Sequence, residues 1–137
     1  MKRRVLSLVL ALAVIVSITV IPAAAADEAS QPGNWYDGAM STWSDRGVLQ
    51  GDQAGNLNPT ANITRAELAV MLDRIMGYRV KASNSFADVE DGAWYADAVA
   101  WAAAQGITAG VSADAFGPNA SCTRAQIVTF LYRFMEQ

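Results

Sequence analysis

The 137-residue chain contains no histidine and one cysteine, Cys122. Without histidine there is no Ser-His-Asp or Cys-His catalytic apparatus, and no zinc site of the usual Cys/His kind. A lone cysteine rules out an intramolecular disulfide. Basic residues are also scarce, with 10 Lys and Arg against 13 Asp and Glu. Three of the ten, Lys2, Arg3 and Arg4, lie at the extreme N-terminus.

Those three precede an uncharged run over residues 5–21 and an alanine-rich end at Ala23, Ala24, Ala25 and Ala26. A charged head, an apolar middle and small residues at the end are the order of a secretory signal, with cleavage expected after Ala26. An uncleaved N-terminal anchor is the competing reading, because the uncharged stretch could just span a bilayer. Either way the remainder is expected to be exported. Removing residues 1–26 leaves 111 residues with seven basic against 13 acidic side chains, a net charge of −6. So acidic a chain repels nucleic acid and anionic lipid at long range, and neither is an expected partner. A membrane enters only if the N-terminal segment stays attached.

What the chain does have is a repeat. Residues 35–78 align with 94–137 at a constant offset of 59, without a gap, and 14 of the 44 pairs are identical. The pairs include Trp35/Trp94, Tyr36/Tyr95, Gly47/Gly106, Gly51/Gly110 and Pro59/Pro118. They also include the triplets Thr64-Arg65-Ala66 and Thr123-Arg124-Ala125. Agreement at Trp, Gly and Pro together marks a duplication. The expected organisation is a leader over 1–26, a first repeat over 27–78, a linker over 79–85 and a second repeat over 86–137.

Each repeat reads as helix, loop, helix, so the fold class is all-α: tandem helical repeats packed as a small bundle. In the second repeat the alanine-rich stretch 93–105 predicts a helix with Trp94, Ala98, Trp101 and Ala102 at helical spacing. Gly106 is the expected left-handed stop, and Ile107 folds back on the last turn; Gly47 and Val48 repeat the pattern. Leu57 and Phe116, shortly before the loop prolines, are expected to plug the space between helices. Thr64-Arg65-Ala66-Glu67 and Thr123-Arg124-Ala125-Gln126 both match a capping box. Behind them run two apolar stripes, Leu68, Met71, Leu72 and Ile75, and Ile127, Phe130, Leu131 and Phe134.

The combination of Phe86-Ala87-Asp88-Val89, Trp94-Tyr95, Gly106-Ile107, Gly110, Phe116-Gly117-Pro118 and Thr123-Arg124-Ala125-Gln126 resembles an S-layer homology (SLH) repeat. Residues 35–78 resemble a second copy, with Ile63-Thr64-Arg65-Ala66-Glu67 as its most recognisable part. The first copy departs at its opening, where Asp27, Glu28, Ala29 and Ser30 stand in place of F-x-D-V. The resemblance implies a mostly helical, exported bacterial protein. It also implies non-covalent attachment to a secondary cell-wall polysaccharide, often bearing pyruvylated sugars. Such proteins typically carry three repeats in a pseudo-three-fold, with ligand grooves between neighbours.

Seven residues are candidates for binding. Arg65 and Arg124 stand at the first turn of a capped helix, where the dipole favours an anion and a guanidinium can grip a carboxylate with two prongs. A structural ion pair, for instance with Asp88, is an equal reading. Trp35 and Trp94 offer flat faces to sugar rings, although helical spacing beside alanines favours a place in the core. Gly51 and Gly110 are expected to serve backbone geometry, or close approach of a ligand. Asp88 belongs to the family motif but also suits a cap.

Glu67 would suit a catalytic acid, yet its counterpart is Gln126, which keeps the cap and loses the acid. No carboxylate recurs at matched positions, so an exported hydrolase ranks below binding. Asp52 to Asn56 lacks EF-hand spacing. Neither metal nor cofactor is expected. Self-association, or docking on another SLH-bearing chain, is the alternative to wall binding.

Overall fold

The computed structural model describes residues 33–77 and 82–137. The leader expected over 1–26 lies outside them, as do residues 79–81 of the linker expected over 79–85. Four helices follow in order: α1 (Asp37–Asp45), α2 (Arg65–Met76), α3 (Ala96–Ala104) and α4 (Arg124–Met135). There is no sheet among the described residues, only an isolated antiparallel bridge between Thr64 and Ser121. The fold is all-α. None of the described helices is long and apolar enough to cross a membrane.

The chain divides into two compact units, residues 1–37 and 38–137. In the described part of the first, the Asn34 amide donates to the Asp37 carboxylate at 2.8 Å. The Asp37 amide returns to the Asn34 carbonyl at 3.0 Å. The Trp35 ring stands edge-on to Tyr36, 5.5 Å between centroids.

In the second unit the helix boundaries follow the punctuation read from the sequence. Thr64 is extended (φ −82°, ψ 163°), which frees its hydroxyl to accept from the Glu67 amide at 3.2 Å. The Glu67 carboxylate in turn accepts from the Thr64 amide at 2.7 Å. Thr123 and Gln126 reproduce both bonds, at 3.2 and 2.9 Å. Gly47 and Gly106 both adopt φ 72°, a left-handed conformation that lets the chain reverse. The amides of Val48 and Ile107 then donate back to Trp43 and Ala102 at 3.0 and 2.9 Å. Both side chains are buried.

One boundary differs from expectation. The alanine-rich helix starts at Ala96 rather than at residue 93, because residues 94–95 form a turn. The Ala96 amide bonds the Ala93 carbonyl there at 2.9 Å. Trp94 therefore precedes the helix, the spacing argument does not apply to it, and its side chain is 65% exposed. Trp35, in the same place in the first repeat, is 63% exposed. The preference for a core position is corrected at both tryptophans.

The core gathers Leu68, Ala69 and Leu72 of α2 with Val99, Trp101 and Ala102 of α3, joined by Phe86, Val89, Ile107, Phe116 and Phe130. Helices α2 and α3, from different repeats, pack together. Alanines on both sides, Ala66 and Ala69 facing a helix rich in Ala98, Ala100 and Ala102, are almost wholly buried and permit close approach. Phe116 plugs the interior completely. Leu57 is only half-buried, so the two matched plugs are unequal.

Candidate functional site

Backbone bonds join the two repeats beside Arg65. The amides of Arg65 and Ala66, at the head of α2, donate to the carbonyls of Ala120 and Pro118 at 2.9 and 3.0 Å. The Cys122 amide donates to Ile63 at 3.0 Å. Two of the helix amides expected to favour an anion at this end are thus occupied by the second repeat.

The Arg65 side chain is 3% exposed. Its Nε donates to the Phe116 carbonyl at 2.7 Å, and Nη2 reaches the Thr108 hydroxyl at 3.4 Å. The guanidinium lies 4.8 Å from the Phe116 ring centroid and 5.3 Å from that of Phe130, within cation–π range. Burial pushes the Arg65 guanidinium below its usual value, while Cys122 and Asp88 pull it back.

Asp88 holds the other side of this loop. Its two carboxylate oxygens accept from the amides of Phe116 and Gly117 at 2.8 and 2.7 Å. Burial works to raise its pKa, but those two amides outweigh it and hold the carboxyl below the ordinary aspartate value. Asp88 thus fixes the loop whose carbonyl Arg65 uses. The Phe86 and Phe116 rings pack 5.7 Å apart underneath.

The two loop glycines meet steric demands of different kinds. Gly110 has φ 79°, and a Cβ there would come within 2.5 Å of the Ala115 carbonyl oxygen. A Cβ on Gly51 would come within 2.6 Å of the Gly55 carbonyl carbon. Near Gly51 the Asp52 carboxylate takes the amides of Ala54 and Asn56 at 2.9 and 3.0 Å and the Asn58 side chain at 3.1 Å. Those bonds, the Asn56 amide first, hold its pKa below the ordinary value. Protein donors occupy this carboxylate, and no cluster of three metal-ligating side chains occurs among the described residues.

Arg124, the counterpart of Arg65, is exposed at the head of α4. Trp94 stands edge-on to Tyr95, with 5.2 Å between centroids, which repeats the Trp35–Tyr36 arrangement. Exposed, edge-braced indoles at matched positions suit stacking on sugar rings. Cys122 is half-buried, and burial pushes its thiol pKa up, the condition of an unreactive thiol.

Several supporting side chains were not singled out by sequence reasoning. Arg74 donates to the Val48 carbonyl at 3.2 Å, and its counterpart Arg133 donates to Ile107 at 3.4 Å. Each clamps the end of its repeat's first helix. Their identity at the 59-residue offset was the available signal. Asn84 accepts from the Phe86 amide at 2.9 Å and donates to the Val89 carbonyl at 2.7 Å, ordering the F-x-D-V turn. Nothing in the spacing marked it or Thr108.

The sequence has relatives. The chain is 35% identical over 124 residues to the surface-layer 125 kDa protein of Lysinibacillus sphaericus, covering 88% of this chain and 10% of that one. It is 33% identical over 94 residues to cell surface glycoprotein 1 of Acetivibrio thermocellus, covering 66% and 4%. The cellulosome-anchoring protein of the same organism is 33% identical over 94 residues, covering 65% and 21%. The chain thus spans a small part of each relative's length. Both copies of the repeat match the S-layer homology domain, over residues 29–69 and 85–128, and the chain belongs to that family.

Proposed function

We propose that this chain is a non-catalytic module that anchors to the bacterial cell wall by gripping an anionic, pyruvylated secondary wall polymer. The observation that carries this reading is the exposure of the Arg124 side chain and of the tryptophans at matched positions of the repeats, Trp35 and Trp94. A guanidinium supplies two parallel donors to a carboxylate, and an indole face supplies an apolar platform for a sugar ring. Arg65 acts at the join, with Gly51, Gly110 and Asp88 holding the loops in shape.

The relatives support surface anchoring, since two are surface proteins by name and a third is an anchoring protein. The N-terminal residues 1–26 would direct export to the cell surface. An acidic chain approaching an anionic polymer depends on local positive points, because its overall charge opposes the encounter. The reading is tested by retention on purified wall sacculi before and after chemical removal of the secondary polymer. Retention should disappear with the polymer; equal retention on stripped wall would reject it.

A further inference from the structure

The two repeats are alike in sequence but unlike in burial. On α2, Arg65, Ala66, Ala69 and Leu72 are 3%, 1%, 0% and 2% exposed. Their counterparts at the 59-residue offset are Arg124, Ala125, Val128 and Leu131 of α4. Arg124 and Ala125 are exposed, and Val128 and Leu131 are 64% and 41% exposed. Tyr132 and Met135 extend the same open region, at 64% and 80%. The difference has a visible cause. The second repeat covers α2, through α3 and the carbonyls of Pro118 and Ala120, and no described element does this for α4.

The chain also carries the first-repeat counterpart of the covering element. Helix α1 stands where α3 stands, and none of its residues is buried, whereas six of the nine in α3 are. Pro59 and Ala61 stand where Pro118 and Ala120 stand. Charge also matches: helix α1 bears Asp37 and Asp45 and no basic residue, and the open face of α4 carries Arg124 at its head and no acidic residue. In α2, whose covering is intramolecular, the charges balance.

We propose that the open face of α4 docks the first repeat of a second copy of this chain, by the same packing that joins its own two repeats. The acidic α1 of one copy lies along the open apolar face of α4 of the other, beside its Arg124. The Arg124 and Ala125 amides take the second copy's Ala61 and Pro59 carbonyls, as Arg65 and Ala66 take Ala120 and Pro118. The contact is head-to-tail, since each copy offers a different surface, so it extends into a chain or closes into a ring. Opposite charge selects this pairing over α4 on α4, where Arg124 would find no acidic residue on the facing helix. A docked copy covers Arg124, so a chain held by polymer and one held by a second copy are alternative states at that end of α4.

The test is sedimentation of the purified full chain from about 1 μM to about 1 mM, a range that spans weak to moderate affinities. The wild type should gain mass with concentration. Val128→Glu on α4 and Ala39→Glu on α1 should each sediment as a monomer, with unchanged helical circular dichroism because both sites are exposed. Met135→Glu serves as a second α4 variant. Mixed in equal amounts, the Val128→Glu and Ala39→Glu chains should form a 1:1 dimer and stop there. Each keeps one intact surface, and two glutamates cannot compensate each other. A wild type monomeric throughout would overturn the proposal. So would association that survives Val128→Glu or Ala39→Glu, or single variants that fail to pair when mixed. Wall retention of Met135→Glu, about three turns from Arg124 and measured separately at low concentration, keeps failure of this contact distinct from failure of the wall-binding reading.

Discussion

The Nε of Arg65, on the first repeat, donates to the carbonyl of Phe116, on the second, at 2.7 Å, and the guanidinium lies 4.8 Å from the same residue's ring. One residue of the second repeat thus offers both a lone pair and an apolar face to one cation. Arg65→Ala should lose about 2–4 kcal/mol of stability in urea unfolding, through a cavity and an unsatisfied buried carbonyl. Arg65→Lys should recover little of it, since an ammonium lacks the planar fork. Arg124→Ala, at the exposed counterpart, should change stability by less than about 0.5 kcal/mol.

Asp88 gives the fold an acid-sensitive joint. Its carboxyl titrates below the ordinary aspartate value, so its contribution to stability is fully present above about pH 4 and disappears as pH falls through the lowered folded value. Asp88→Ala should therefore be less stable than the wild type at neutral pH. The gap should narrow on acidification towards pH 2, measured by thermal unfolding across that range. A constant gap would show that the two amide bonds to Phe116 and Gly117 do not carry the effect.

The capping residues separate structure from chemistry. Thr64→Ala and Thr123→Ala should each cost about 1 kcal/mol in thermal or urea unfolding. Glu67→Gln should change stability by less than about 0.5 kcal/mol, because Gln126 makes the same return bond to its cap. It should also leave wall retention unchanged, as expected of a residue that caps a helix.

Loop glycines should differ according to what surrounds them. Gly47→Ala meets open space and bears only the left-handed backbone cost, about 1–2 kcal/mol. Gly110→Ala bears that cost and also forces a Cβ against the Ala115 carbonyl and the Phe86 ring, so it should destabilise by clearly more. Unfolding of the two variants side by side checks the order.

The helices, their caps and their glycine stops were legible because each rests on local chemistry: a hydroxyl two or three residues from an amide, or a glycine where φ turns positive. The repeat was legible because it compares the chain with itself. Burial was not. Arg65 and Arg124 stand in the same local motif, and partners distant along the chain, Thr108, Phe116 and Phe130, surround the first. Trp94 is misplaced by helical spacing because it stands two positions before the helix begins at Ala96. Arg74 and Arg133 were overlooked because a last-turn arginine resembles an ordinary solvated charge, until its carbonyl partner comes into view.

The most direct test of wall anchoring is the affinity of the Arg124→Ala and Trp94→Ala chains for polymer-bearing wall sacculi. Each is exposed, so folding should be intact. Loss of a charge-assisted pair or a stacking face should weaken binding about tenfold or more. Combining both substitutions should bring retention close to that on polymer-stripped wall. Wild-type affinity in the folded double variant would contradict the account.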